Sequence, residues 1–358
     1  MRYAMIMAGG AGKRLWPMSR EKMPKQLLPM FNGRSLLELA AARVENLVER
    51  EHQLICTNEE HRPLIHERLP NFTDAQILGE PVGRDTVNAV GFTAAVLHKR
   101  DPDAVFAVLT ADHLIEPVEE FQAKLRTGFD LVEDDATRFV TFSIQPTYPA
   151  TGYGYVERGE SINRFNDAFI AKRFVEKPDE STAQQYIKSG NFGWNSGMFV
   201  FHAGSFLDAL EKFKPDARTK LGRIADAWGT SNQQQMLDEI YPTLKATSVD
   251  FAVMEPASTD NRFQVCTIKM NIKWTDVGSW PSFGSTLEPV NGNRTNTVTE
   301  HIKSSNVLTV SDDPNHLIAT IGCDDLIIVR TQDVTLVCRA DQAERVKELV
   351  ERVDPSYQ

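Results

Sequence analysis

The first thirty residues constrain this chain more than any other stretch. Residues 3–8 read YAMIMA, an apolar run of strand length, and the run stops at Gly9-Gly10-Ala11-Gly12. Glycines at that point let the backbone turn tightly and approach a ligand closely. Lys13, Arg14, Arg20, Lys22 and Lys25 follow. Up to Arg34 the segment carries seven Lys/Arg against one acid, Glu21, inside a chain whose formal net charge is −10. A strand, a glycine loop and concentrated positive charge suit a polyphosphate, because backbone N–H groups and fixed cations can both face its oxygens. Three familiar phosphate loops do not fit. A P-loop needs Ser or Thr after its lysine and a glycine five positions before the second one, but Arg14 and Met7 stand there. A dinucleotide fingerprint needs a third glycine where Leu15 lies. The kinase glycine loop fails at that same residue.

With 358 residues the chain exceeds one ordinary core and predicts a large domain with a smaller one. Its 41% hydrophobic and 25% charged residues are ordinary for a globular protein. The acidic balance argues against general nucleic-acid binding, and no apolar stretch is long enough to span a bilayer. Arg2 and the short run after it are too brief for a signal peptide. Cys56, Cys266, Cys323 and Cys338 are scattered without a C-x-x-C pair, so reduced thiols in a cytoplasm are expected rather than zinc or disulfides.

Along the chain, Ser35-Leu36-Leu37-Glu38 has the form of a capping box and predicts a helix over 36–48. Strands are predicted at 53–57, 75–78 and 104–109, with helices at 59–68 and 87–99 between them. This alternation argues for a layered α/β sheet. Beyond it, helices are predicted at 119–132 and 181–189 and over much of 203–240. Further strands are predicted at 139–144, 152–156, 169–176, 193–201 and 263–270. Asn291-Gly292-Asn293 reads as a boundary. Short strands follow at 307–310, 317–321, 326–330 and 334–338, then a closing helix over 340–350. That spacing suggests a compact β module, without an exact internal repeat.

Several motifs carry candidate chemistry. Asp112 follows the 104–109 strand in Thr110-Ala111-Asp112-His113, where ligands of open α/β sheets gather. On its own it would equally read as a turn or cap aspartate. Asp276 sits in Trp274-Thr275-Asp276-Val277-Gly278-Ser279-Trp280 and alone would read as a helix cap. Phe174-Val175-Glu176-Lys177-Pro178 pairs a carboxylate with an ammonium, which could be no more than a solvated pair. Trp194-Asn195-Ser196-Gly197 follows, and Gly154 offers close backbone approach. The eight histidines are scattered, and His113 reads as structural. No nucleophilic triad or H-E-x-x-H motif stands out, so no covalent nucleophile is implied.

Taken in order, G-G-x-G-x-R-L-x-P, the later Pro24-Lys25-Gln26, A-D-H, F-x-E-K-P, W-N-S-G and W-x-D-x-G-x-W resemble the sugar-1-phosphate nucleotidyltransferases. The P-K-Q ending resembles their mannose-1-phosphate guanylyltransferase branch. The resemblance covers nearly the whole chain. It implies a Rossmann-like α/β nucleotidyltransferase domain with a mixed central sheet over residues 1–290. A small C-terminal β-helix-like domain would occupy 291–358. The implied reaction takes GTP and mannose 1-phosphate to GDP-mannose and pyrophosphate. Arg14 and Lys25 would be catalytic. Ala8, Gly9, Gly10, Gly12, Lys13, Gly83, Asp85, Thr86 and Ala111 would bind the nucleotide. Gly154, Glu176, Lys177 and Asn195 would bind the sugar phosphate. Asp112 and Asp276 would be the protein ligands of Mg²⁺, which favours one or two carboxylates plus substrate phosphates. Asp250, in Ser248-Val249-Asp250-Phe251-Ala252-Val253-Met254-Glu255, would support the site from behind. A homodimer is implied by resemblance alone, and the isomerase domain of bifunctional relatives is not expected here.

Two alternatives stay open. One is another pairing in the same class, glucose 1-phosphate with UTP or dTTP. The other is a non-catalytic homologue that binds nucleotide sugar, whose mark would be loss of Arg14, Lys25, Asp112 or Asp276; all four are present. The segment Glu80-Pro81-Val82-Gly83-Arg84-Asp85-Thr86-Val87-Asn88 departs from the family's E-P-x-x-x-N-T-A-P. Its Asp85 could accept from guanine N1–H and N2–H, pair with Arg84, or cap the following helix.

Overall fold

The computed structural model describes residues 1–10 and 12–358; Ala11, inside the glycine loop, lies outside the described residues. Contacts divide the chain into two compact units. The first comprises Met1–Gly9, Ala40–Ala111 and Ile115–Trp274, and the second Gly10–Leu39, Asp112–Leu114 and Thr275–Gln358.

The first unit is built on one nine-stranded sheet. Its strands are β1 (Arg2–Met7), β2 (Gln53–Asn58), β3 (Ile77–Glu80), β4 (Val105–Thr110), β6 (Arg138–Ile144), β7 (Tyr155–Ser161), β8 (Ala168–Val175), β9 (Phe192–His202) and β10 (Gln264–Met270). The strands β5 (His113–Glu116) and β11 (Lys273–Asp276) are not part of it. The order is β3-β2-β1-β4-β9-β6-β10-β8-β7. β3, β2, β1 and β4 run parallel, as the predicted strand–helix alternation requires. β9 enters antiparallel to both β4 and β6, which makes the sheet mixed. β1 and β4 are in register from Arg2↔Val105 to Met7↔Thr110, so their carboxyl ends finish together. Ala8 and Ala111 follow directly, and the 81–84 turn follows β3.

Side chains alternate across a strand, and β1 shows it. Tyr3 and Met5 enter one core, and Ala4 enters the other. The first core is covered by α3 (Asp85–Arg100), α6 (Ala203–Phe213), α7 (Pro215–Ala227) and α8 (Gln233–Ile240). The second is covered by α4 (Val118–Asp134) and α5 (Glu180–Ser189). The capping box at 35–38 is formed in both directions: Ser35 N–H donates to Glu38 Oε2 at 2.7 Å, and Glu38 N–H donates to Ser35 Oγ at 3.2 Å. The helix it opens, α1, spans Leu36–Ala42 rather than continuing to 48, and α2 spans Arg62–Arg68. The Gln122 side chain takes the Arg43 carbonyl at 2.8 Å, and the chain goes on as turns. Predicted strand 152–156 begins later, at Tyr155, because 151–153 form a bend. No described helix is long and apolar enough to cross a membrane.

The second unit has its own core. Leu15, Trp16 and Leu36 pack with Val277, Trp280 and Phe283, with Leu308, Val310, Ile327 and Val329, and with Ala343, Val346 and Val350. Parallel ladders join β12 (Arg294–Thr295), β14 (Leu308–Ser311) and β16 (Leu326–Arg330), and join β13 (Val298–Ile302) to β15 (Leu317–Ile321). β17 (Thr335–Arg339) closes antiparallel on β16. The ladders Val298↔Leu317 and Leu308↔Ile327 share one offset. It is the 19-residue separation of the Asn306–Asp325 and His301–Thr320 side-chain bonds. The chain therefore winds in coils, as in a β-helix, with side-chain bonds between successive turns.

Candidate active site

In the second unit the glycine loop leads into a short turn, Lys13–Leu15. Gly12 has φ 63°, a left-handed conformation that favours glycine. A side chain there would also lie 2.7 Å from Lys25 Cβ, so Gly12 is what lets the Lys25 stem lie against the loop. Ser19 Oγ closes the loop by donating to the Gly12 carbonyl at 2.7 Å. Lys25 opens the turn Lys25–Leu27 after Pro24 and is 8% exposed. Its ammonium donates to Asp112 Oδ2 at 2.8 Å and to the Val277 carbonyl at 3.3 Å. The Asp112 carbonyl accepts from Val277 N–H at 3.0 Å, which fixes Asp112 beside the Asp276 segment.

Ligand atoms of Asp112, His113 and Asp276 all lie within 4.8 Å of one another. Burial alone would raise the Asp112 carboxyl, but the charge of Lys25 and the neighbouring His113 outweigh it and hold it low. Asp276 is raised, first by burial and then by the charge on Asp112. Two converging carboxylates, one held ionised and the other raised by its neighbour's charge, suit a divalent cation, a hard ion that takes oxygen donors. His113, read from sequence as structural, is buried with Nε2 3.8 Å from Asp112 Oδ1. Arg14 pairs with Glu344 at 2.9 Å and Lys13 approaches Glu351 at 3.9 Å; both cations are about half exposed. A side chain at Gly278 would meet the Arg14 guanidinium at 3.0 Å, and the Arg14 charge also acts on Asp276.

In the first unit the residues read as sugar-binding come together. Glu176 and Lys177 follow β8, and their side chains pair at 2.6 Å. Lys177 has φ 47°, a conformation unusual for a residue with a long side chain. Asn195 lies on β9, and its N–H donates to the Gly154 carbonyl at 2.8 Å. A side chain at Gly154 would lie 2.5 Å from Glu176 Oε2 and 3.3 Å from Asn195 Cβ, so glycine there permits their convergence.

Of the residues read as nucleotide-binding, Ala8, Gly9, Gly83, Asp85, Thr86 and Ala111 also lie in the first unit. Ala8 N–H donates to the Cys56 carbonyl at 2.8 Å, and Ala111 N–H to the Met7 carbonyl at 3.0 Å. Gly9 and Gly83 are exposed with open space around them, whereas Gly10 of the second unit has φ 93°, which a residue with a side chain rarely adopts. The 84–88 segment is fastened to 242–249. Arg84 donates to the Pro242 carbonyl, Asn88 to the Lys245 carbonyl, and Thr86 Oγ1 accepts from Val249 N–H. Asp85 is exposed at the start of α3 with φ 63°, and its carboxylate accepts from Thr86 N–H at 2.7 Å.

Sequence reasoning missed the carboxyl at the head of this loop. Glu80 is 6% exposed, accepts from the Tyr241 hydroxyl at 2.5 Å, and adjoins the Cys56 thiol. Burial pushes its pKa up to about 7 from 4.5. The folded state therefore keeps this proton while the unfolded chain releases it, and stability falls as pH rises from 4.5 toward 7. Glu80→Gln should remove that loss. The variant is expected to come within about 1 kcal/mol of wild type at pH 5 and to exceed it at pH 8 by about 3 kcal/mol. Urea unfolding midpoints at the two pH values measure it, and an equal offset at both would refute it.

The nucleotidyl transferase family model matches residues 3–290, and the MannoseP isomerase/GMP-like beta-helix domain matches 299–353. A mannose-1-phosphate guanylyltransferase of Escherichia coli K12 is 36% identical over 359 residues, covering 98% of this chain and 73% of its own. One of Salmonella typhimurium LT2 is 36% identical, with coverage of 98% and 73%. Among solved structures, a mannose-1-phosphate geranyltransferase of Thermus thermophilus superposes with a TM-score of 0.85 at 29% identity, covering 98% of both chains. A mannose-6-phosphate isomerase of Helicobacter pylori follows with a TM-score of 0.62 at 28% identity, over 77% of this chain and 99% of its own.

Proposed function

This chain belongs to the mannose-1-phosphate guanylyltransferases of the nucleotidyl transferase family, and we propose from that premise how its residues transfer GMP from GTP to mannose 1-phosphate. The observation that carries the reading is the Lys25–Asp112–Asp276 cluster beside Arg14. A phosphate oxygen of mannose 1-phosphate attacks the α-phosphorus of GTP in line. A new P–O bond forms, the bond to the β-phosphate oxygen breaks, and pyrophosphate leaves with that electron pair. Such a transfer needs positioning and charge stabilisation more than an acid or base.

Arg14 and Lys13 hold the departing phosphates, exchanging their carboxylate partners for phosphate oxygens. Lys25 stabilises the charge that gathers on the α-phosphate. Backbone N–H groups from the stretch that holds Ala8, Gly9, Gly10 and Gly12 line the triphosphate. Gly83, Asp85, Thr86 and Ala111 adjoin the nucleoside. Asp112 and Asp276 would hold Mg²⁺, which when bound supplies positive charge to phosphate oxygens. Glu176 and Asn195 take sugar hydroxyls beside Gly154, and Lys177 neutralises the sugar phosphate. The family-model boundaries support a catalytic domain over 1–290 and a β domain over 291–358. A homodimer in the cytoplasm completes the proposal.

The test is a substrate panel scored by pyrophosphate release. GTP with mannose 1-phosphate should exceed UTP or dTTP with glucose 1-phosphate by about a hundredfold. A reversed preference would move the chain to the glucose-1-phosphate branch. No release with any pair would mark a non-catalytic homologue.

A further inference from the structure

Asp250 opens a single π-helical turn, Asp250–Met254, that continues into α9 (Glu255–Ala257). Single π turns are frequent at functional sites. Here the turn opens on a half-buried carboxyl. Asn195 Nδ2 donates to Asp250 Oδ1 at 2.8 Å. Asn195 Oδ1 accepts from Gly197 N–H at 3.3 Å and from Thr141 Oγ1 at 2.8 Å. Gly197 N–H is a donor only, so the amide cannot be turned round. One Nδ2 hydrogen is committed to Asp250, and the other has no partner among the described residues. Asp250 thus sits where Glu176 and Asn195 converge beside Gly154, in the group read above as sugar-binding.

We propose that Asp250 is a further hydroxyl-binding residue for the hexose 1-phosphate, completing a Glu176–Asn195–Asp250 set that recognises the sugar ring. A hexose presents adjacent hydroxyls, each both donor and acceptor. Glu176 is paired with Lys177 and acts as an acceptor. Asn195 offers a donor. A protonated Asp250 offers a second donor and accepts with its other oxygen, so the three groups match a vicinal diol. This rests on the sugar-site reading given under the proposed function.

The charged groups around Asp250 set a pH signature. Burial, and then the charge on Glu176, raise its pKa to about 7, against the pull of its own backbone amide, Asn195 and Lys177. Asp85 acts on Lys177 from the start of α3. Above pH 7 Asp250 loses its donor and adds a second negative charge beside Glu176. Both changes oppose binding of an anionic sugar phosphate.

The experiment compares wild type, Asp250→Asn and Asp250→Ala between pH 6 and 8.5, measuring kcat and KM for mannose 1-phosphate. The substrate's own phosphate titration is common to all three and cancels in the ratios. Asparagine keeps a donor and an acceptor but cannot ionise. The wild-type KM should therefore climb about tenfold relative to that of Asp250→Asn across the range, with kcat within about threefold. Asp250→Ala should show KM raised about tenfold at pH 6. A constant wild-type to Asp250→Asn ratio, or an unchanged KM in Asp250→Ala, would overturn the proposal. Calorimetric titration of wild type with mannose 1-phosphate separates the two levels: absence of any binding there sinks the sugar-site reading itself.

Discussion

Replacing Lys25 with methionine is expected to lower kcat by about two to three orders of magnitude. The ammonium is buried, and it faces the carboxylate of Asp112 at 2.8 Å. It is the fixed positive charge nearest the cluster where phosphate charge must be met. Methionine keeps an unbranched stem against Gly12 and removes only the charge. The stability cost should be modest, about 1–2 kcal/mol, because Asp112 is partly exposed and water can take over part of the ammonium's role. If the charge acts on the transition state, the loss falls on kcat, and KM for GTP moves little. A variant with normal kcat and a raised KM would show that Lys25 serves ground-state binding instead.

Asp276→Asn should cost activity on a similar scale while sparing the fold. Asp276 is held against the charge of Asp112 in a partly buried place, and burial and that charge oppose its ionisation. Removing one charge relieves that repulsion, so the melting temperature should stay level or rise. What is lost is half of the carboxylate pair that would hold the cation. Calorimetric titration with Mg²⁺ should show affinity weakened by about tenfold or more, and turnover at limiting Mg²⁺ should fall by about a hundredfold. Undiminished Mg²⁺ affinity in this variant would remove Asp276 from the metal site. A large drop in melting temperature would show that the aspartate is structural.

These residues were legible because short motifs placed chemistry at strand ends. β1, β4 and the segments after them stand where an apolar run followed by glycine or Thr-Ala-Asp predicts. The mixed sheet was harder to read. β9 looks like any buried strand in sequence, and only its pairing shows that it runs antiparallel between β4 and β6. The coils of the β module were hidden too. Their 19-residue offset is kept by scattered bonds such as Asn306 to Asp325, not by repeated letters. Glu80 became visible only through burial and a partner far along the chain, Tyr241, and the bond from Asn195 to Asp250, a residue the resemblance placed behind the site, likewise joins distant positions. Local sequence carries no trace of such encounters.

The core of the second unit has a consequence for synthesis. Leu15 and Trp16 pack with Val346 and Val350, and Trp16 Nε1 reaches the Tyr357 carbonyl across 341 positions. Leu15 and Trp16 leave the ribosome early, but these partners beyond residue 340 emerge only at the end. At about 5–20 residues per second that delay is tens of seconds. Throughout it, Leu15 and Trp16 lack those partners, while every strand of the nine-stranded sheet lies within residues up to 270. The residues just after the glycine loop thus complete their core only once synthesis has ended.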